Sequence, residues 1–90
     1  MSMFDISNSG DFLIVGGEKA PIKDIVLEMM DYGDNYFDIH FLNTKTDSLF
    51  GGSALCGIQG ITRAKEHLKE LSEKANVPTR VTKQDNDWIF

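Results

Sequence analysis

Two alternating runs on either side of a turn constrain this chain most. Ile25, Leu27 and Met29 share one parity, with Asp24, Val26, Glu28 and Met30 on the other. After Tyr32-Gly33-Asp34-Asn35 the alternation resumes, with Phe37, Ile39 and Phe41 set against Tyr36, Asp38, His40 and Leu42. A period of two places each parity on its own face of a strand. Gly and Asn tolerate positive φ and Asp bonds its own backbone, so the residues between the runs read as a turn. The result is a hairpin with one apolar and one mixed face. Its apolar faces coincide only in every second register. The tighter allowed register sets Met29 opposite Phe37 and Glu28 opposite Asp38, whereas the looser sets Met29 opposite Ile39 and Glu28 opposite His40. Like charges directly opposite destabilise a ladder, so the looser register, with a five-residue loop, is expected.

The second constraint is helical. Ile61, Ala64, Leu68, Leu71 and Ala75 recur at spacings of three and four, tracing one face of a helix of about four turns. Glu70 with Lys74 and Lys69 with Glu73 stand at pairing distance on its solvated side. His67, between Ala64 and Leu71, belongs at the border of the apolar face. Asn76 accepts the left-handed conformation and Pro78 prevents continuation, which specifies the stop. Phe12-Leu13-Ile14-Val15, between Gly10-Asp11 and Gly16-Gly17, reads as a short strand, and its unbroken apolarity predicts burial on both faces. Ser48-Leu49-Phe50 returns as a further strand that Gly51-Gly52 ends, and a last hairpin is expected from Thr79-Arg80-Val81-Thr82 to Trp88-Ile89-Phe90. The whole predicts one α+β domain over residues 1–90. Its antiparallel sheet of four to five strands is covered on one face by a single long amphipathic helix, in the order β-β-β-α-β.

Composition then limits function. Fourteen acids against nine Lys and Arg give a formal charge of -5, the wrong sign for wrapping a phosphate backbone, so no direct nucleic-acid binding is expected. No apolar run approaches the roughly 20 residues that span a bilayer, and the start, Met1-Ser2-Met3-Phe4-Asp5, has no signal-peptide pattern. A single cysteine, Cys56, excludes an intramolecular disulfide, and a cytoplasmic location is expected. The charge is uneven: residues 1–56 hold nine acids and three bases, or -6, whereas residues 57–90 hold five acids and six bases, or +1. No basic residue lies between Lys23 and Lys45.

Several motifs invite chemistry. The segment Gly51 to Gly60 is glycine-rich and runs into a helix start, where free N–H groups hold anions. Gly52 and Gly57 match the glycines of a Walker A loop, but Ile58-Gln59 stand where Lys and Ser or Thr are needed, and GxGxxG is absent. A close turn that lets the helix pack on the sheet is the stronger reading, so no cofactor is expected. Cys56 with His40 or His67 is the candidate thiolate pair, yet Ala54-Leu55-Cys56 reads as core. Two His and one Cys without short spacing form no zinc site. Glu28, Asp38 and His40 are expected to cluster on the outer hairpin face, but such a face is ordinarily polar and nothing in the sequence shows a pocket that would desolvate them for acid–base work.

An acidic hairpin with tyrosines at its tip needs no pocket. Tyrosine beside carboxylate is good interface material. The expected function is a small, non-enzymatic protein-binding inhibitor or regulator. It docks Asp24, Glu28, Asp31, Asp34 and Asp38 as charges, and Tyr32 and Tyr36 as anchors, on a basic or nucleic-acid-binding larger protein. By analogy from size and charge, this includes a phage-encoded antagonist of a nucleic-acid-handling defence enzyme. The alternatives are a small transferase or thiol enzyme using the Gly51–Gly60 turn and Cys56, and a homodimeric structural subunit joined through Trp88-Ile89-Phe90 or a sheet edge.

Overall fold

A computed structural model describes residues 5–83, with residues 52–54 followed along the backbone only. The elements run β1 (Ile6–Asn8), β2 (Phe12–Val15), β3 (Glu18–Pro21), a 3-10 turn (Ile22–Asp24), β4 (Ile25–Asp31), β5 (Tyr36–Asn43), β6 (Ser48–Gln59), α1 (Ile61–Ala75) and β7 (Thr79–Lys83). The α+β class is as expected, with strands divided between two sheets: an antiparallel meander β1-β2-β3 and a sheet ordered β6-β5-β4-β7. The central hairpin takes the looser register, with Met29 opposite Ile39, Glu28 opposite His40, and five residues between the last pair, Asp31 and Phe37.

Helix α1 follows the apolar spacing, burying Ala64, Leu68, Leu71 and Ala75, while Ile61 at its start is exposed. His67 lies half-buried at the edge of that face. The helix stops as the sequence dictates: Asn76 adopts φ 56°, ψ 50°, and its N–H donates to the Ser72 carbonyl at 2.7 Å. Asn76→Ala should therefore cost about 1 kcal/mol and Asn76→Gly almost nothing, a contrast that urea unfolding of the two variants measures. The Asn8 side-chain amide donates to the Ala75 carbonyl at 2.7 Å, tying the meander to the helix end. Leu13, Val15 and Ala20 of the meander enter the same core as Leu27, Met29, Ile39, Phe41 and the helix.

Four expectations need correction. The strands are not all antiparallel, because the helix crossover returns β7 parallel to β4, with Glu28 opposite Arg80 and Asp31 opposite Lys83. Phe12–Val15 is not buried on both faces: Leu13 and Val15 are fully buried, while Phe12 is exposed and carries the Lys19 ammonium 4.5 Å above its ring. Gly51-Gly52 does not end the third hairpin strand; β6 continues for 12 residues, to Gln59, so the Gly51–Gly60 turn is a strand. Cys56 is exposed rather than core. Of the last hairpin, Thr79–Lys83 is β7 and residues 84–90 lie outside the described residues.

The glycines of β6 serve as bulges. Between Phe50, paired with Phe41, and Ala54, paired with His40, β6 inserts residues 51–53. Farther along, Cys56 and Gly57 together stand opposite the single residue Asp38. Gly51 lies against the meander at φ +87°, where an added Cβ would sit 2.5 Å from Val15 Cγ1.

Candidate functional site

The sheet face opposite the helix carries the even-numbered residues of β4 and β5 together with Arg80 and Thr82 of β7. At its centre lies Glu28, only 6% exposed. Its Oε2 accepts hydrogen bonds from Arg80 Nε at 3.0 Å, Arg80 Nη2 at 2.7 Å and Thr82 Oγ1 at 2.7 Å, and Oε1 lies 2.7 Å from His40 Nε2. Burial pushes the Glu28 carboxyl up, but the bonds from Thr82, Arg80 and His40 and the Arg80 charge together outweigh it and hold the group below its ordinary 4.5. Three donors converge on Oε2 and one partner lies at Oε1, so both carboxylate oxygens are engaged. Glu28 is thus an ionised strut that links three strands.

Asp38, two residues from His40, has different surroundings. At the β6 bulge the Gly57 N–H donates to the Asp38 side chain, whose Oδ1 accepts it at 3.0 Å. Its Oδ2 accepts the Tyr32 hydroxyl at 2.8 Å. Burial of Tyr32, followed by its bond to Asp38 and the Asp38 charge, pushes that phenol up to about 12, so it remains a donor at ordinary pH. The Tyr36 ring lies 6.0 Å from the Tyr32 ring, tilted by 52°, and is 41% exposed. Gly57 makes room for it: a Cβ there would lie 3.1 Å from the Tyr36 hydroxyl oxygen.

The remaining expected contacts divide by position. Asp34 is exposed in the loop. Asp31 pairs with the core residue Phe37, which puts it on the helix side of the sheet, and its Oδ1 accepts the Gly33 N–H at 2.9 Å. With Gly33, Asn35, Phe37, Ile61 and Lys83 it borders a shallow hollow of about 370 Å³. Asp24 is at the far end of β4, about 20 Å from the loop by strand rise. Its carbonyl accepts both the N–H and the hydroxyl of Thr44. The structure therefore gathers Asp31, Tyr32, Asp34, Tyr36 and Asp38 around the hairpin tip, sets Asp24 apart, and neutralises Glu28. Among the described residues the acids at the tip make no ion pair; Glu28 pairs with Arg80 and lies at hydrogen-bond distance from His40.

Sequence reading missed Arg80 and Thr82 as partners of Glu28, since parallel pairing of β7 across 52 residues leaves no local signal. Gly57 was legible as a conformational exception, though not as the donor that fixes Asp38. Cys56 shares a hollow of about 290 Å³ with Arg63 and His67 of α1. Among the described residues no cluster of His, Cys, Asp or Glu is arranged to hold a metal ion, and no helix is long and apolar enough to cross a membrane. No protein-family model, curated protein or solved structure matches this chain.

Proposed function

We propose that this is a small protein-binding domain that docks the tip of its β4–β5 hairpin on a basic surface of a larger protein. The observation that supports this most is the contrast between carboxylates: buried Glu28 is matched by Arg80, whereas Asp31, Asp34 and Asp38, at the same hairpin end as the exposed Tyr36, make no ion pair among the described residues. Unmatched charge beside an exposed aromatic steers a cationic partner and gives it an anchor. The docking element is a tip with acids on both sides of the hairpin rather than one acidic sheet face, so it suits a concave basic site. Occluding such a site is the simplest output. An inhibitor of a nucleic-acid-handling enzyme, a phage-encoded antagonist of a defence enzyme among them, fits this charge asymmetry, as does work in the cytoplasm.

Asp34→Lys is the direct test, because Asp34 is exposed and holds none of the hydrogen bonds of the tip. Tagged wild-type protein should retain a basic partner from lysate of the source cells under low-salt washing and release it at high salt. With that partner purified, Asp34→Lys should lower the association rate about tenfold at low salt and much less at high salt. Equal, salt-independent rates for the two proteins would refute docking by the acidic tip.

A further inference from the structure

We infer that Asp38, Tyr32 and Tyr36 form a receptor for one arginine side chain of the partner. This rests on the reading of the tip as the docking end and goes on to name the group it takes. Both Asp38 oxygens are fixed, one by the Gly57 N–H at 3.0 Å and the other by the Tyr32 hydroxyl at 2.8 Å. Each of those bonds uses one lone pair and leaves another on the same oxygen. Two acceptors held at carboxylate spacing match the parallel N–H groups of a guanidinium, and a planar guanidinium also stacks on an aromatic face. Tyr36 supplies that face, 41% exposed and tilted by 52° from Tyr32.

The protein displays the same chemistry internally. Two residue pairs along the ladder, Glu28 takes Arg80 through Nε and Nη2 and is further bonded by Thr82 and His40. Asp38 is half-buried on the same sheet face with two neutral donors, and among the described residues it has no cation. A lysine ammonium would satisfy the charge, but it is a compact point that neither bridges both oxygens in a plane nor stacks flat on the ring.

Two capped peptides of equal length and charge, one with three arginines and the other with three lysines spaced by glycine, are titrated into the full chain at low salt. Amide and tyrosine ring NMR shifts provide the readout. The arginine peptide should bind about fivefold more tightly and move the Gly57 amide and Tyr36 ring signals. Tyr36→Leu should remove this preference and leave both peptides at the lysine level. Tyr32→Phe, which keeps the ring but frees Asp38 Oδ2, should reduce it. Amide spectra of each variant verify that the fold persists. Equal affinity of the two peptides, with shifts at Asp34 but not at Gly57, would overturn the arginine receptor and leave the acidic tip standing. Absence of shifts at the tip with either peptide at millimolar concentration would overturn both.

Discussion

Glu28→Ala is expected to destabilise the protein by about 2 to 3 kcal/mol. Removing one member of a buried ion pair costs about 3 to 5 kcal/mol when the remaining charge stays buried. Arg80 has a half-exposed side chain, 49% accessible, so water recovers part of that loss. The larger share comes from unlinking strands, because the four donors reach Glu28 on β4 from β5 and from β7. Chemical denaturation measures the effect directly, and pH gives it a signature. The folded-state carboxyl is held below its ordinary 4.5, so the contribution of Glu28 is fully present above that value and is lost as pH falls through the lower folded value. Wild-type stability should therefore decline with acid in this range, and Glu28→Gln, which cannot titrate, should show a shallower decline. Parallel stability curves for the two proteins would mean that folding does not hold the Glu28 carboxyl below its ordinary value.

A comparable loss, about 3 kcal/mol, is expected for Gly51→Ala. At φ +87° an L side chain is strained, and the new Cβ would lie 2.5 Å from Val15 Cγ1 and 3.0 Å from Val15 Cβ. Val15 is fully buried and β-branched, so it has little rotamer freedom to move aside. Gly17→Ala serves as the control: its φ is +86° with nothing within 4 Å of the added carbon, so it reports backbone strain alone, about 1 kcal/mol. Equal losses at the two positions would show that close packing of β6 on the meander contributes nothing. In a Val15→Ala background the Gly51→Ala penalty should shrink, giving a measurable coupling energy. Hydrogen exchange in β1 to β3 should accelerate in Gly51→Ala, since this contact joins the two sheets.

These two sites show where sequence reasoning succeeded and where it stopped. Register in the central hairpin was legible because one charge comparison, Glu28 against Asp38 or against His40, decides between the only two pairings that keep the apolar faces together. The helix, from its apolar stripe to the left-handed Asn76, was legible for the same reason: the signals are local. Gly51 was misread as the end of a strand and Gly57 as part of a turn, because a glycine that breaks a strand and one that bulges it are the same letter. Only the partner strand distinguishes them, by continuing to pair with the residues beyond.

The candidate site divides along that line. The sequence by itself determined an acidic front half, a tyrosine-bearing hairpin and a helix that must cover a sheet, since charge and periodicity are properties of short segments. The tertiary structure alone decided which acids are matched by a cation within the fold and which are left without an ion pair among the described residues. Parallel docking of β7 brings Arg80 to Glu28, the β6 bulge turns Gly57 toward Asp38, and the length of β4 carries Asp24 away from the tip. Each depends on contacts between segments distant in the chain, where the free energy of an ion pair or a satisfied N–H is set by geometry that no local pattern encodes.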